Sequence, residues 1–186
     1  MSILTLHAET GPAASAVHTD LDGIQKQLAD IGVLFERWRA DRELGPAPAQ
    51  DQVLAAYADP VARLKALYGF QSADVISVAP DNPAKAELRA KFLREHTHSD
   101  YEVRFFVQGR GLFYLHPDQR VFGILCAAGD LISVPAGARH WFDLGETPSL
   151  SCIRLFTTPE GWVADYTGSA IAQRFPTLEG YLAAHG

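Results

Sequence analysis

The chain has 186 residues, 47% of them hydrophobic, with 16 Lys and Arg against 22 Asp and Glu for a net charge of −6. A chain of this size buries roughly 70% of the surface its unfolded form exposes, so it needs no disulfide framework or structural metal, and a bound metal is expected to be functional. The acidic balance, with charges scattered rather than in runs, leaves no basic face for nucleic acid.

The opening MSILTLHAETG has no basic leader before its apolar residues. No window reaches the roughly 18 uncharged apolar residues of a membrane span, so the expectation is a cytoplasmic protein with no membrane partner. Asp20 or Asp22 caps a helix with Ile24, Leu28 and Ile31 on one face and Gly32 at its end, after which residues 33–39 alternate like a strand. The GPAPAQ segment is a loop. Asp51 then caps a second helical stretch carrying Val53, Leu54, Tyr57, Val61, Leu64 and Leu67, which Pro60 is placed to kink or divide. Residues 75–78 form a short strand, and Asn82 followed by Pro83 opens an alanine-rich, charged helix toward Phe92.

From Tyr101 the texture changes to short β-branched and aromatic runs broken by glycine or proline: EVRFFVQG, GLFYLHP, VFGILCAAG, DLISVPAG, RHWFDLG and SCIRLF. This is the pattern of a small antiparallel barrel or jelly roll. Gly109, Arg110 and Gly111 read as a hairpin turn. Cys126 and Cys152 lie in these apolar runs without CxxC spacing and read as buried small hydrophobes. The chain is expected to form one domain, with helical signals over about 1–93, barrel motifs over about 94–160 and a C-terminal extension over 161–186.

Three histidines stand apart from the others. His7, His18, His116 and His185 lie near the termini or beside turn residues and receive no role. His96, His98 and Glu102 share the parity of an extended chain and can point to the same side of a sheet, where a histidine pair and a carboxylate are costly to bury without a cation. The context is His96-x-His98-x3-Glu102-x6-Gly109, then Gly129-x5-Pro135-x-Gly137-x2-His140. Pro135 and Gly137 make the turn that presents His140 on a neighbouring antiparallel strand. Three imidazoles and a carboxylate suit one divalent first-row ion such as Fe(II) or Ni(II), with two positions left for substrate.

These two stretches resemble the two motifs of the cupin superfamily, although Ala90 stands where a glycine is common and Leu144 where an asparagine often follows the last histidine. EHTHSDYEVRFFVQGRGLFYLH, GDLISVPAGARHWFDLG, RLFTTPEGWVADYTG and the AxxGVLFERW segment further resemble the acireductone dioxygenase family, over nearly the whole chain. The resemblance implies a mainly β protein with α-helices in its N-terminal half, a cupin-type antiparallel β-barrel or jelly roll (double-stranded β-helix). It implies His96, His98, Glu102 and His140 as metal ligands. It also implies cleavage of the enediol 1,2-dihydroxy-5-(methylthio)pent-1-en-3-one by dioxygen in methionine salvage. The iron form of the family yields 4-methylthio-2-oxobutanoate and formate; the nickel form yields 3-methylthiopropanoate, formate and carbon monoxide.

Around that centre, Arg104 shares the parity of Glu102, and Arg154 lies in an apolar run. Both are candidates to orient and neutralise an anionic substrate. Phe142, in phase with His140, and Phe92 and Trp162, which flank the motifs, are candidates for the pocket wall. Asp100 and Tyr101 receive no role, and the expected assembly is a monomer. A cupin isomerase or epimerase would keep the same four ligands but need no oxygen, whereas a non-catalytic small-molecule-binding cupin would usually have lost ligands.

Overall fold

The computed structural model describes residues 1–46, 48–158 and 163–186. Two antiparallel sheets face one another. The first has seven strands, ordered β12 (Asp165–Tyr166), β5 (His96–Thr97), β10 (His140–Asp143), β7 (Arg110–Leu115), β8 (Arg120–Ala127), β1 (Ile3–Ala8) and β2 (Ala14–His18). The second has five, ordered β3 (Leu34–Arg37), β9 (Asp130–Val134), β6 (Glu102–Gln108), β11 (Leu150–Phe156) and β4 (Ser72–Val78). The two form an open jelly roll rather than a closed barrel.

Between the sheets lie Phe113, Phe122, Ile124, Cys126 and Phe142 from the first and Phe106, Ile132 and Cys152 from the second. Both cysteines are free and buried there, as their apolar neighbours suggested. Each sheet is also covered on its outer face. Helices α2 (Gln50–Ala56) and α3 (Ala58–Tyr68) place Val53, Tyr57 and Leu64 against Val103, Phe105, Ile153 and Leu155. On the other side Ile171, Phe175, and Leu178 and Tyr181 of α5 (Leu178–His185) cover Tyr114, Val121 and Trp141. Cover on both faces explains why β6, β7 and β8 read as continuous apolar runs rather than as alternating strands.

The helices follow their local signals in part: Asp51 lies in the first turn of α2, whose N-cap is Ala49. Asp20 accepts from Gly23 N at 2.7 Å and caps α1 (Leu21–Ala29), which buries Ile24 and Leu28. Gly32 has φ +75°, open to glycine without a Cβ penalty. The second helical stretch divides at Tyr57, so that Pro60 falls in the first turn of α3, where its missing N–H costs nothing. Asn82 Oδ1 accepts from Ala84 N at 2.8 Å, and α4 (Lys85–Phe92) begins after that turn, with Ala84 rather than Asn82 as its N-cap.

Three expectations are corrected. The N-terminal part is not only helical: β1 and β2 form a ribbon, and β1 pairs with β8 from Ile3 opposite Leu125 to Ala8 opposite Arg120. That pairing partner lies more than a hundred residues away, where local pattern gives no sign of it. Gly109 is not a hairpin turn, because β6 and β7 belong to different sheets. The chain crosses between layers at Gly109 (φ +73°), where a Cβ would lie 1.8 Å from Ser149 O. Lastly, His96, His98 and Glu102 are not residues of one strand, since β5 ends at Thr97 and Glu102 opens β6 in the opposite sheet.

Candidate metal centre

The four residues nevertheless meet, because the two layers converge at one end of the sandwich. His140 lies directly opposite His96 in the β10–β5 pair of the first sheet, and Glu102 pairs with Val134 of β9 within the second. The turn at Pro135 and Gly137 brings β10 in as its spacing required: Gly137 has φ +76° and donates its N–H to His98 O at 2.8 Å. One ligand atom from each of His96, His98, Glu102 and His140 falls within 4.8 Å of the others, and all four residues are buried.

The hydrogen bonds around the imidazoles fix what these atoms offer. His96 Nδ1 lies 2.6 Å from Arg94 O, His98 Nδ1 2.9 Å from Val163 O, and His140 Nδ1 2.8 Å from Ala138 O. A carbonyl oxygen only accepts, so each Nδ1 carries the proton and donates, leaving the Nε2 lone pairs for the centre. His98 Nε2 and His140 Nε2 stand 2.9 and 3.1 Å from the same oxygen of Glu102, Oε2. Lone pairs crowded on a carboxylate oxygen are favourable only around a shared cation, a proton or a metal ion.

Electrostatics agree with this geometry. Burial, reinforced by neighbouring His140, lowers His96 to about 4, so it is neutral near pH 7. Burial acts the same way on His98, but its contact with Glu102 outweighs that and moves it upward. For Glu102 burial favours the neutral acid. The charge of Arg104, with the close approach of the His140 and His98 rings, outweighs burial and holds the group well below the ordinary carboxylate range. Three Nε2 atoms turned to the centre and an anionic carboxylate are a donor set that fits one divalent first-row ion.

Arg104 is 3% exposed and donates from Nε to Glu102 Oε1 at 2.7 Å. It therefore bonds the ligand carboxylate directly while it also lines the cavity beside the centre. Its guanidinium lies over the Phe142, Phe113 and Phe92 rings at 4.5, 5.2 and 5.5 Å. Beside the centre is a cavity of about 140 Å³, whose described walls include Phe92, Arg104 and Arg154 together with Lys91, Ala164 and Tyr166.

Phe142, expected in the wall, is instead 1% exposed, packs against the Arg104 guanidinium and is not among the described walls of the cavity. Arg154 reaches the cavity, but Asp74 of β4 holds its guanidinium with bonds of 2.7 and 2.6 Å. Trp162 lies outside the described residues. Asp100, left without a role by sequence reasoning, accepts from Tyr101 N and Thr157 N at 2.7 and 3.0 Å and ties the approach to β6 to the end of β11.

Sequence reasoning missed Lys91, Ala164 and Tyr166. Tyr166 enters through β12, which pairs with β5 by setting Tyr166 opposite His96, and its ring packs against that imidazole at 5.9 Å between centroids. A two-residue strand about seventy positions from its partner carries no periodic signal. Proximity to the motifs could have suggested Lys91, one residue before Phe92.

Comparison with known proteins gives the same reading. An acireductone dioxygenase of Methylococcus capsulatus is 66% identical over 98% of this chain and 98% of its own length. One from Aquifex aeolicus is 54% identical over 96% and 97%. Among solved structures, an acireductone dioxygenase from Bacillus anthracis with a cadmium ion in its active center superposes with a TM-score of 0.79 at 33% identity, covering 89% of this chain and 98% of that one. The model of the ARD/ARD' family matches residues 5–164, and the chain belongs to that family.

Proposed function

We propose that the protein is an acireductone dioxygenase that cleaves 1,2-dihydroxy-5-(methylthio)pent-1-en-3-one with dioxygen in methionine salvage, using one Fe(II) or Ni(II) ion per chain. The observation that carries this reading is the convergence of three Nδ1-anchored imidazoles and one carboxylate beside a cavity, in a chain 66% identical to a relative of that name. His96, His98, Glu102 and His140 would hold the ion. When bound, the ion supplies Lewis acidity that favours the ionised form of an enediol over the neutral one.

The chain's own groups supply the rest. Carbonyls of Arg94, Val163 and Ala138 keep the imidazoles in one tautomer. Arg104 orients Glu102 and adds positive charge where an anionic substrate would sit. Phe92 offers the cavity an apolar surface for a methylthio tail and limits water there. The same reading takes the chain as one domain acting as a monomer in the cytoplasm, and no helix among the described residues is long and apolar enough to cross a membrane.

The test is oxygen uptake with the acireductone by metal-loaded protein, against a His96→Ala variant analysed for metal. The expected outcome is uptake by the parent and an empty, inactive but folded variant. Full metal occupancy in the variant would contradict the ligand assignment, and absence of uptake by the loaded parent would contradict the activity.

A further inference from the structure

Strand β5 has two residues, yet His96 lies on it and His98 just beyond it. Its ladder is equally short: one residue pair with β10, His96 opposite His140, and two with β12. Such a segment cannot fix two ligands by backbone pairing alone, so something else holds it. The residue before it, Glu95, is 2% exposed, and its carboxylate turns to partners that are not among the four donors.

Glu95 Oε1 is 2.5 Å from His116 Nδ1, and Oε2 accepts from Thr167 Oγ1 at 2.6 Å. The Glu95 carbonyl also accepts from Thr167 N at 3.2 Å. A buried carboxylate is costly unless compensated, and here His116 and Thr167 compensate it rather than any group of the metal centre. Each partner leads to a different ligand. His116, 3% exposed, donates its backbone N–H at 2.8 Å to Arg139 O, the residue before His140. Thr167 directly follows β12, and Val163, shortly before that strand, supplies the carbonyl that holds His98 Nδ1. Glu95 itself is bonded to His96 through the chain.

We propose that Glu95 is a positioning residue of the metal centre: by joining His116 and Thr167 behind β5, its carboxylate sets the placement of the His96, His98 and His140 imidazoles relative to one another. The inference rests on the metal site proposed above. It assigns Glu95 no contact with substrate or metal.

The experiment titrates metal-stripped protein with Co(II), reading affinity by chelator competition and ligand geometry from the visible absorption at saturation. Glu95→Ala is expected to weaken Co(II) binding about tenfold and to alter the absorption bands even when saturated. A purely structural role would lower the melting temperature and leave the saturated spectrum unchanged. Glu95→Gln, whose amide can bond both partners, is expected to restore the parental spectrum.

Parental affinity and spectrum in Glu95→Ala overturn the inference. Should that variant fail to fold, Thr167→Val and His116→Asn each remove one partner, and parental Co(II) affinity and spectrum in both overturn it equally. Failure of the parent itself to bind Co(II) would instead overturn the metal site.

Discussion

Arg104 illustrates how much one side chain does in a buried polar site. It compensates a carboxylate that is 2% exposed, covers three phenylalanine rings, and reaches the cavity beside the centre. Arg104→Met keeps the apolar contacts and removes the charge. The variant is expected to bind Ni(II) about tenfold more weakly, because Glu102 loses the bond that orients it. At saturating metal its kcat/KM should still fall by roughly a hundredfold, the scale of losing a preorganised charge next to developing negative charge. Metal titration followed by steady-state kinetics separates the two effects, and parental kcat/KM at full occupancy would confine Arg104 to orienting Glu102. The parity of Glu102 and Arg104 in the sequence was enough to bring both into the site. It could not show that they bond each other, because that depends on where the guanidinium finds its acceptor.

At the scale of elements, α4 carries Phe92 to the cavity although none of its residues is fully buried. Eight residues are too few for a helix to persist on propensity alone. Packing by Leu88 and Phe92 is joined by one polar anchor: Arg89 bonds Asp143 of β10 at 2.7 and 2.9 Å and Glu179 of α5 at 2.8 Å. Asp143 is 1% exposed and also accepts from Gly145 N and Leu178 N, so the anchor joins α4, β10 and α5. Arg89→Met leaves that carboxylate buried without its cation and is expected to cost about 3 kcal/mol of stability. Faster amide exchange over α4 and a raised KM, with Ni(II) affinity unchanged, are the accompanying results; unchanged exchange there would show that packing alone holds the helix. The Asn82–Pro83 signal marked the turn before α4, which starts at Lys85 behind an Ala84 N-cap. Nothing local marked Arg89 as its anchor, since the partners lie 54 and 90 residues along the chain.

For the molecule as a whole, the apolar core fills the space between the two sheets and covers their outer faces, far beyond the four ligand positions. Stripped protein is therefore expected to keep its far-ultraviolet spectrum and to unfold cooperatively, gaining about 2.7 kcal/mol when free metal reaches a hundred times its dissociation constant. Loss of secondary structure on stripping would mean that the ion is structural. The strands after Tyr101 and the two halves of the metal motif were legible because each is short, contiguous and punctuated by glycine or proline. The β1–β8 pair, the division of β6 and β7 between sheets and the arrival of β12 beside His96 were not, because each is decided by pairing across long sequence separations. The central claim is that one polypeptide cleaves an acireductone with a divalent ion that this donor set does not strongly select. The direct measurement is to strip the protein, reload separate portions with Fe(II) and Ni(II), supply the acireductone and air, and assay the headspace for carbon monoxide. Carbon monoxide from the nickel portion, and 4-methylthio-2-oxobutanoate without it from the iron portion, is the expected result; equal carbon monoxide from both, or no cleavage by either, would contradict the account.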